Sequence, residues 1–404
     1  MTAKSLTASP LRMRFPARMS PHTFMRDYWQ KKPLLIRGAL PAVNGQVGPI
    51  GPDALFALAA QEEVESRLVR REAGNWSMVH GPHAHLPARP RKGAGPERFW
   101  TLLVQGVNLH NNLADALLRQ FNFISAARLD DLMISYATDG GGVGPHFDSY
   151  DVFLLQTMGQ RRWRISAHCQ PELIEGMPIR ILKHFEAEQE WVLDAGDMLY
   201  LPPQYAHEGT AIGPCMTASI GFRAPALAEL AGEFLHTLAD DLDIPGRYSD
   251  PGRKPSRKPA RIDAHMVDAL ANSLSRVRWS RFDLAAFLAA HLSEPKPQVF
   301  FDDPGAPLSA AGFARQARRL GLCLHRKSTM LYTGSVLCIN GERLALPSPP
   351  GRAPLLQLAD QRHLPPAACA VALADTTIRE LLHEWFDAGW IEFDNRQSNT
   401  NLLA

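Results

Sequence analysis

The sequence predicts an α+β chain, and three observations carry that prediction. Between Leu132 and about Phe222, short apolar runs alternate with Gly- and Pro-containing turns, a pattern that favours a barrel or a sandwich of strands. From Pro225 the period changes, and Leu227, Leu230, Phe234, Leu235 and Leu238 recur at helical spacing. In the last hundred residues a strong hairpin turn, Asn340-Gly341, is followed by helical patterns, which reads as a small α+β domain.

Taken in order, residues 1–12 are expected to be a flexible leader. Ser20-Pro21 is a helix start, with Ser as cap and Pro in the first turn. Pro33–Gly38 and Val64–Val69 read as strands, and Pro52–Gln61, Pro96–Val104 and Leu113–Phe121 as helices. Beyond the barrel or sandwich, Met266, Val267, Leu270, Leu274 and Val277 mark a second helical face after 225, and Leu284, Phe287, Leu288 and Leu292 a third, capped by Ser280. Met330–Ile339 reads as a strand. Thr377 with Glu380 reads as a capping box for a helix closed by Gly389, and Trp390–Phe393 as a strand after it. The expected boundaries are 13–224, 225–300 and 301–404.

The 404 residues, 45% hydrophobic and 21% charged, suffice for two or three packed domains. Net charge is only +2, from 43 basic and 41 acidic residues, so no global field draws the chain to nucleic acid or membrane. The basic residues are not evenly spread: Gly246–Arg261 holds six Lys or Arg, three Pro and one acid, and reads as a solvated basic loop. Five cysteines with no CxxC pair make neither a disulfide framework nor a zinc module, and fit a reducing cytoplasm. No run approaches the roughly 18 apolar residues of a membrane span.

The chemistry concentrates in Gly140–Arg164, GGGVGPHFDSYDVFLLQTMGQRRWR. A glycine-rich loop delivers His146-Phe147-Asp148. In an extended chain His146 and Asp148 project to one side and Phe147 to the other. A second stretch, Asp194–His207, runs through a Gly196-Asp197 turn and a short apolar strand stopped by Pro202-Pro203 to His207. Two histidines and one carboxylate are the facial set that holds non-heme Fe(II) with positions left open for other ligands. His146, Asp148 and His207 are therefore the expected metal ligands.

These motifs resemble the JmjC branch of the 2-oxoglutarate oxygenases, which are cupin-type barrels. The runs Leu132–Tyr136, Gly144–Phe153 and Ser219–Pro225 are similar to one subgroup, the bacterial ribosomal oxygenases. That resemblance implies a double-stranded β-helix barrel, a helical dimerisation region giving a homodimer, and a winged-helix-like C-terminal domain. It also implies Fe(II), 2-oxoglutarate and O2, and hydroxylation at C3 of an arginine in a large-subunit ribosomal protein in the cytoplasm. The helix Thr377–Gly389 carries Glu380, Glu384 and Asp387, which would repel phosphate, so sequence-specific nucleic-acid binding is not expected.

The far carboxylate of 2-oxoglutarate needs a basic anchor. On the strand after Gly159, alternation puts Arg161 and Trp163 on one face and Arg162 and Arg164 on the other. The resemblance selects Arg161, which a carboxylate can engage bidentately. Ser135, by the same resemblance, and Ser219 are candidate hydroxyl contacts. Tyr136, Asp139, Tyr150, Asp151 and Gln156 flank the motif and are candidates to hold the substrate side chain. Three rival readings stay open: a hydroxylase of another residue or protein, a zinc or manganese cupin acting on sugars, and a barrel kept only as a ribosome-binding module.

Overall fold

The computed structural model describes residues 13, 19–41, 47–87, 98–168, 170–302, 305 and 307–394. The expected leader, Pro96 and Cys169 lie outside them. The chain divides into two compact units, 1–224 and 225–404.

In the first unit, helix α1 (Pro21–Asp27) begins as its chemistry requires: the Ser20 hydroxyl accepts the Thr23 N–H, and Pro21 needs no donor partner. Phe24 on α1 is fully buried, with its ring 4.9 Å from that of Tyr200 and 5.3 Å from that of Phe153. This helix is thus riveted to the sheet by aromatic packing. There follow β1 (Leu34–Ile36), α2 (Pro52–Ala59), β2 (Ser66–Glu72), β3 (Asn75–His80), β4 (Arg98–Val104), α3 (Asn112–Leu118) and β5 (Leu129–Ala137). The unit closes with β6 (Val152–Ser166), β7 (Gln189–Leu193), β8 (Met198–Leu201) and β9 (Ala206–Phe222).

These strands form one antiparallel sheet in the order β1-β8-β6-β9-β5-β4-β2-β3, with β7 beside β6. Strands β6 and β9 are 15 and 17 residues long, not short as the turn residues suggested. They stay paired from Val152–Gly221 to Ser166–Ala206, but the register shifts on both sides of Met158. Such irregularities bend a ladder and increase its twist. The sheet curls into a barrel with open ends at β1 and β3: side chains from β2, β3, β4, β5, β6 and β9 all line one cavity of about 420 Å³.

One expected helix is a strand. Arg98–Val104 pairs with β2 and β5 through Phe99, Trp100, Thr101, Leu102 and Leu103. Aromatic and β-branched side chains suit a pleated surface with a sheet on both edges, and that pairing overrides the local helical reading.

The second unit contains α4 (Leu227–Asp240), α5 (Ala264–Leu274), α6 (Arg281–Ser293), α7 (Ala310–Leu320), β10 (Leu322–Leu324), β11 (Met330–Tyr332), β12 (Val336–Ile339) and β13 (Glu342–Ala345). After them come α8 (Arg352–Gln361), β14 (His363–Leu364), α9 (Pro366–Ala372), α10 (Thr376–Asp387) and β15 (Ile391–Phe393). The strands make two three-stranded sheets, β14-β10-β15 and β11-β12-β13. The core holds Phe313, Leu337, Leu355, Leu382 and Trp385.

Ser280 caps α6 as expected, in a reciprocal box with Asp283. The Asn340-Gly341 turn sets Ile339 opposite Glu342. Two expectations are corrected. Met330–Ile339 is two strands, because the chain turns where Thr333 N–H bonds Val336 O at 2.8 Å. The cap of α10 is Asp375, whose carboxylate accepts from Thr377 and Ile378; Thr377 is already inside the first turn.

Replacing Phe24 by Ala removes the ring that ties α1 to the barrel. Chemical denaturation should show the first unit destabilised by about 3–5 kcal/mol, with the second unit's transition unmoved.

Candidate metal centre and co-substrate cavity

The glycine-rich loop behaves as an extra strand against β9. Gly140 N–H bonds Ala211 O at 3.0 Å, and Ala211 N–H returns to Gly141 O at 2.9 Å. Further along, His146 and His207 exchange both backbone bonds, at 3.0 and 2.7 Å. The approach is close enough that a Cβ at Gly142 would lie 2.4 Å from Gly209 O. Only glycine permits two backbones to meet there.

This pairing brings the distant histidines side by side, with ring centroids 4.3 Å apart. Asp148 follows two residues on, and its Oδ2 lies 3.7 Å from His207 Nε2. One donor atom from each of His146, Asp148 and His207 falls within 4.8 Å of the other two. Each imidazole is oriented the same way: His146 Nδ1 lies 3.0 Å from Gly144 O and His207 Nδ1 2.9 Å from Tyr205 O. A carbonyl can only accept, so each Nδ1 carries the proton and each Nε2 keeps its lone pair for a metal. Burial, with His146 close by, pushes the His207 pKa down to about 4, against a smaller upward pull from Asp148. The ring is neutral at physiological pH, which is the ligating form.

The interior face of β6 changes phase at the register shifts. Val152 and Leu154 line the cavity before them, Arg161 and Trp163 after. Arg161 is 6% exposed, and its Nε and Nη2 have no hydrogen-bond partner among the described residues. A buried guanidinium with unanswered donors is costly, and a carboxylate entering the cavity would satisfy it bidentately. Trp163 packs beside it, with the Arg161 guanidinium carbon 5.6 Å from the ring centre. Gly209 makes room for the pair: a Cβ there would meet the Trp163 ring at 2.8 Å and Arg161 Cδ at 3.1 Å. The donor set and the orphaned guanidinium therefore fit a metal ion and a dicarboxylate co-substrate in one cavity.

The other sequence candidates divide. Ser135, Ser219 and Tyr150 line the cavity. Burial, with Asp148, Asp131 and Asp130 nearby, pushes the Tyr150 pKa up, so it stays a neutral phenol. Tyr136, Asp139, Asp151 and Gln156 are not in the lining. Tyr136 is next to Ser135 on β5, so it points the other way, into the core between Phe56 and Trp100. Asp139 accepts the Gly213 N–H at 2.7 Å. Asp151 is fully buried and accepts from the Tyr200 hydroxyl at 2.6 Å and from Gln30 at 2.9 Å. Gln156 bonds the Thr217 hydroxyl and Met158 O.

Sequence reasoning missed Asp130 and Asp131, which line the cavity together with Arg67 and Gln105. Asp131 accepts from Gln105 Nε2 and Gly106 N–H at 2.9 and 3.0 Å. The signal was available: stepping back by twos from Ser135 along β5 gives Met133 and Asp131.

The His207 environment sets a pH dependence. Its folded pKa is depressed, so its contribution is fully present above about pH 6.5 and is lost as pH falls toward 4. In metal-free protein the stability advantage of wild type over His207→Gln should shrink by about 2 kcal/mol between pH 7 and 5, measured by denaturant titration at each pH.

Comparison with known proteins agrees with this geometry. Residues 116–230 match the JmjC domain family, and residues 276–392 match the ROXA-like winged helix. The chain is 33% identical over 383 residues to the ribosomal protein uL16 3-hydroxylase of Escherichia coli, covering 92% of this chain and 97% of that one. It is similar to the crystal structure of Escherichia coli YcfD, with a TM-score of 0.79, 31% identity and coverage of 94% and 100% of the two chains. It is also similar to the structure of that ribosomal oxygenase in complex with cobalt and 2-oxoglutarate, with a TM-score of 0.75, 31% identity and coverage of 93% and 99%. With its facial ligand set, its buried guanidinium and this end-to-end likeness, the chain belongs to the JmjC family of ribosomal oxygenases.

Proposed function

We propose that this protein is an Fe(II)- and 2-oxoglutarate-dependent hydroxylase of a large-subunit ribosomal protein, acting at C3 of an arginine side chain. The observation that carries the reading is one cavity holding both the His146–Asp148–His207 donor set and the Arg161 guanidinium, whose Nε and Nη2 have no partner among the described residues.

When bound, the metal, 2-oxoglutarate and O2 together supply the oxidant that inserts one oxygen atom into a C–H bond, while the co-substrate leaves as succinate and CO2. The chain's part is placement. His146, Asp148 and His207 would hold the ion, and Arg161 would take the far carboxylate of 2-oxoglutarate. Ser135 and Ser219 line the same cavity and would offer it hydroxyls. Val152, Leu154 and Trp163 keep the interior apolar, which favours the chemistry over loss of the oxidant to water.

Asp130, Asp131 and Tyr150 give the cavity carboxylates and an aromatic face that suit a guanidinium. The arginine assignment rests on that complementarity and on the relative whose name records 3-hydroxylation of uL16.

A homodimer through α4 and α5 belongs to the same proposal. Leu227 is 84% exposed, Leu270 60% and Val267 56%, and apolar stripes of this kind need a covering surface. No helix among the described residues is long and apolar enough to cross a membrane. Action on ribosomal protein in the cytoplasm accords with that.

Mass spectrometry of ribosomal proteins from cells with and without the gene should show a single-oxygen gain on one arginyl peptide. His146→Ala should abolish it; a full biological effect from that variant would instead leave a binding module. Arg161→Gln should weaken 2-oxoglutarate about 10- to 100-fold with Mn(II) affinity unchanged, read by anaerobic calorimetry.

A further inference from the structure

We propose that the segment Gly246–Arg261 is an RNA-docking arm that reads phosphate rather than base sequence. It lies in the second unit, between α4 and α5, and forms neither helix nor strand. Every residue from Gly246 to Arg261 is exposed.

Charge segregation is the first argument. The segment holds Arg247, Arg253, Lys254, Arg257, Lys258 and Arg261 against one acid, Asp250, a surplus of five. The whole chain has a surplus of only two, so the remaining residues together carry about −3. Averaged over its length the remainder is weakly acidic, although residues 1–26 also carry five basic residues, Lys4, Arg12, Arg14, Arg18 and Arg26, and no acid. A weakly acidic average disfavours binding polyanions through a general field, so such binding needs a local basic segment, and Gly246–Arg261 is one whose residues are all exposed.

The second argument is pattern. Arg253-Lys254-Pro255-Ser256 is followed at once by Arg257-Lys258-Pro259-Ala260, a four-residue repeat. Each proline fixes its own φ and biases its predecessor toward extended backbone. The backbone has no regular structure from Arg253 to Ser256, bends at Arg257 and turns after Lys258, where the Arg261 N–H bonds Lys258 O at 3.0 Å. Pairs of cations repeated along an exposed, irregular loop suit a ligand whose own charges repeat along a strand. A short acidic peptide does not offer that regularity.

The third argument is that these charges are unspent. Arg253 pairs with Asp263 at 2.9 Å, and Asp263 also caps α5 by accepting the His265 N–H. Arg247, Lys254, Arg257, Lys258 and Arg261 have no ion-pair partner among the described residues, although Asp240, Asp241 and Asp243 lie just upstream. Four of the six cations are arginines, whose planar guanidinium engages phosphate bidentately. The proposal does not depend on the hydroxylase reading, and its test needs no turnover.

The test is fluorescence anisotropy of the full-length protein with a labelled single-stranded uridine 20-mer. Five free cations predict a log–log salt slope of about −3 to −4, and an affinity loss of about 100-fold between 50 and 200 mM KCl. The variant Lys254→Ser/Arg257→Ser/Lys258→Ser/Arg261→Ser keeps the Arg253–Asp263 pair and leaves the cores untouched. Its slope should fall by about 3, with an unchanged thermal unfolding midpoint. Equal RNA affinity and slope in variant and wild type would overturn the proposal. So would preferential binding to vesicles containing phosphatidylserine, or binding to polyglutamate as tight as to RNA.

Discussion

Everything at the metal centre depends on one pair of backbone hydrogen bonds, those exchanged between His146 and His207. The two residues lie far apart in sequence and belong to different elements. The ladder makes them direct neighbours, and the pleat then sends both imidazoles to the same side. Glycine is needed at Gly142 because the backbones meet at a separation that a side chain would prevent. The carbonyls of Gly144 and Tyr205, each two residues before its histidine, fix both rings in the same tautomer. One local geometry, used twice, thus provides both nitrogen ligands. Asp148 needs only the alternation of an extended chain to join them.

The bend of β6 plays the corresponding part for the co-substrate. Without its register shifts, the inward positions would continue through even numbers, and Arg162 and Arg164 would face the cavity. The shifts around Met158 move the phase, so Arg161 and Trp163 turn inward. Arg162 and Arg164 face out and pair with Glu190 and Glu208. Three arginines within four residues therefore have two fates, and the difference lies in backbone register, not in side-chain chemistry.

This explains which parts of the site were legible in the sequence. The metal ligands were readable because they need only an H-x-D step, a turn-and-strand approach to the second histidine, and a glycine-rich entry. The face shared by Arg161 and Trp163 was readable for the same reason, being local alternation. What could not be read was where the neighbours of the motif point. Tyr136, Asp151 and Gln156 look like site residues by proximity in sequence, yet one fills the core and two bind their own scaffold. Asp131 follows by alternation from Ser135 on β5, but Asp130 has the opposite parity and lines the cavity only where the ladder shifts register between Leu129 and Leu132. The misread strand Arg98–Val104 has a related cause, since its partners β2 and β5 lie distant in the chain.

The buried Arg161 also ties the stability of the barrel to what its cavity binds. A buried guanidinium nitrogen without a partner is destabilising, as is a buried indole N–H, and among the described residues Arg161 Nε and Nη2 and Trp163 Nε1 have none. A core selected for stability alone would carry apolar side chains at both positions. The presence of Arg161 and Trp163 in the lining of a buried cavity suits a polar ligand better than an apolar one. The carboxylate that satisfies Arg161 at the same time removes a burial penalty, so co-substrate binding and folding stability are linked through a single side chain.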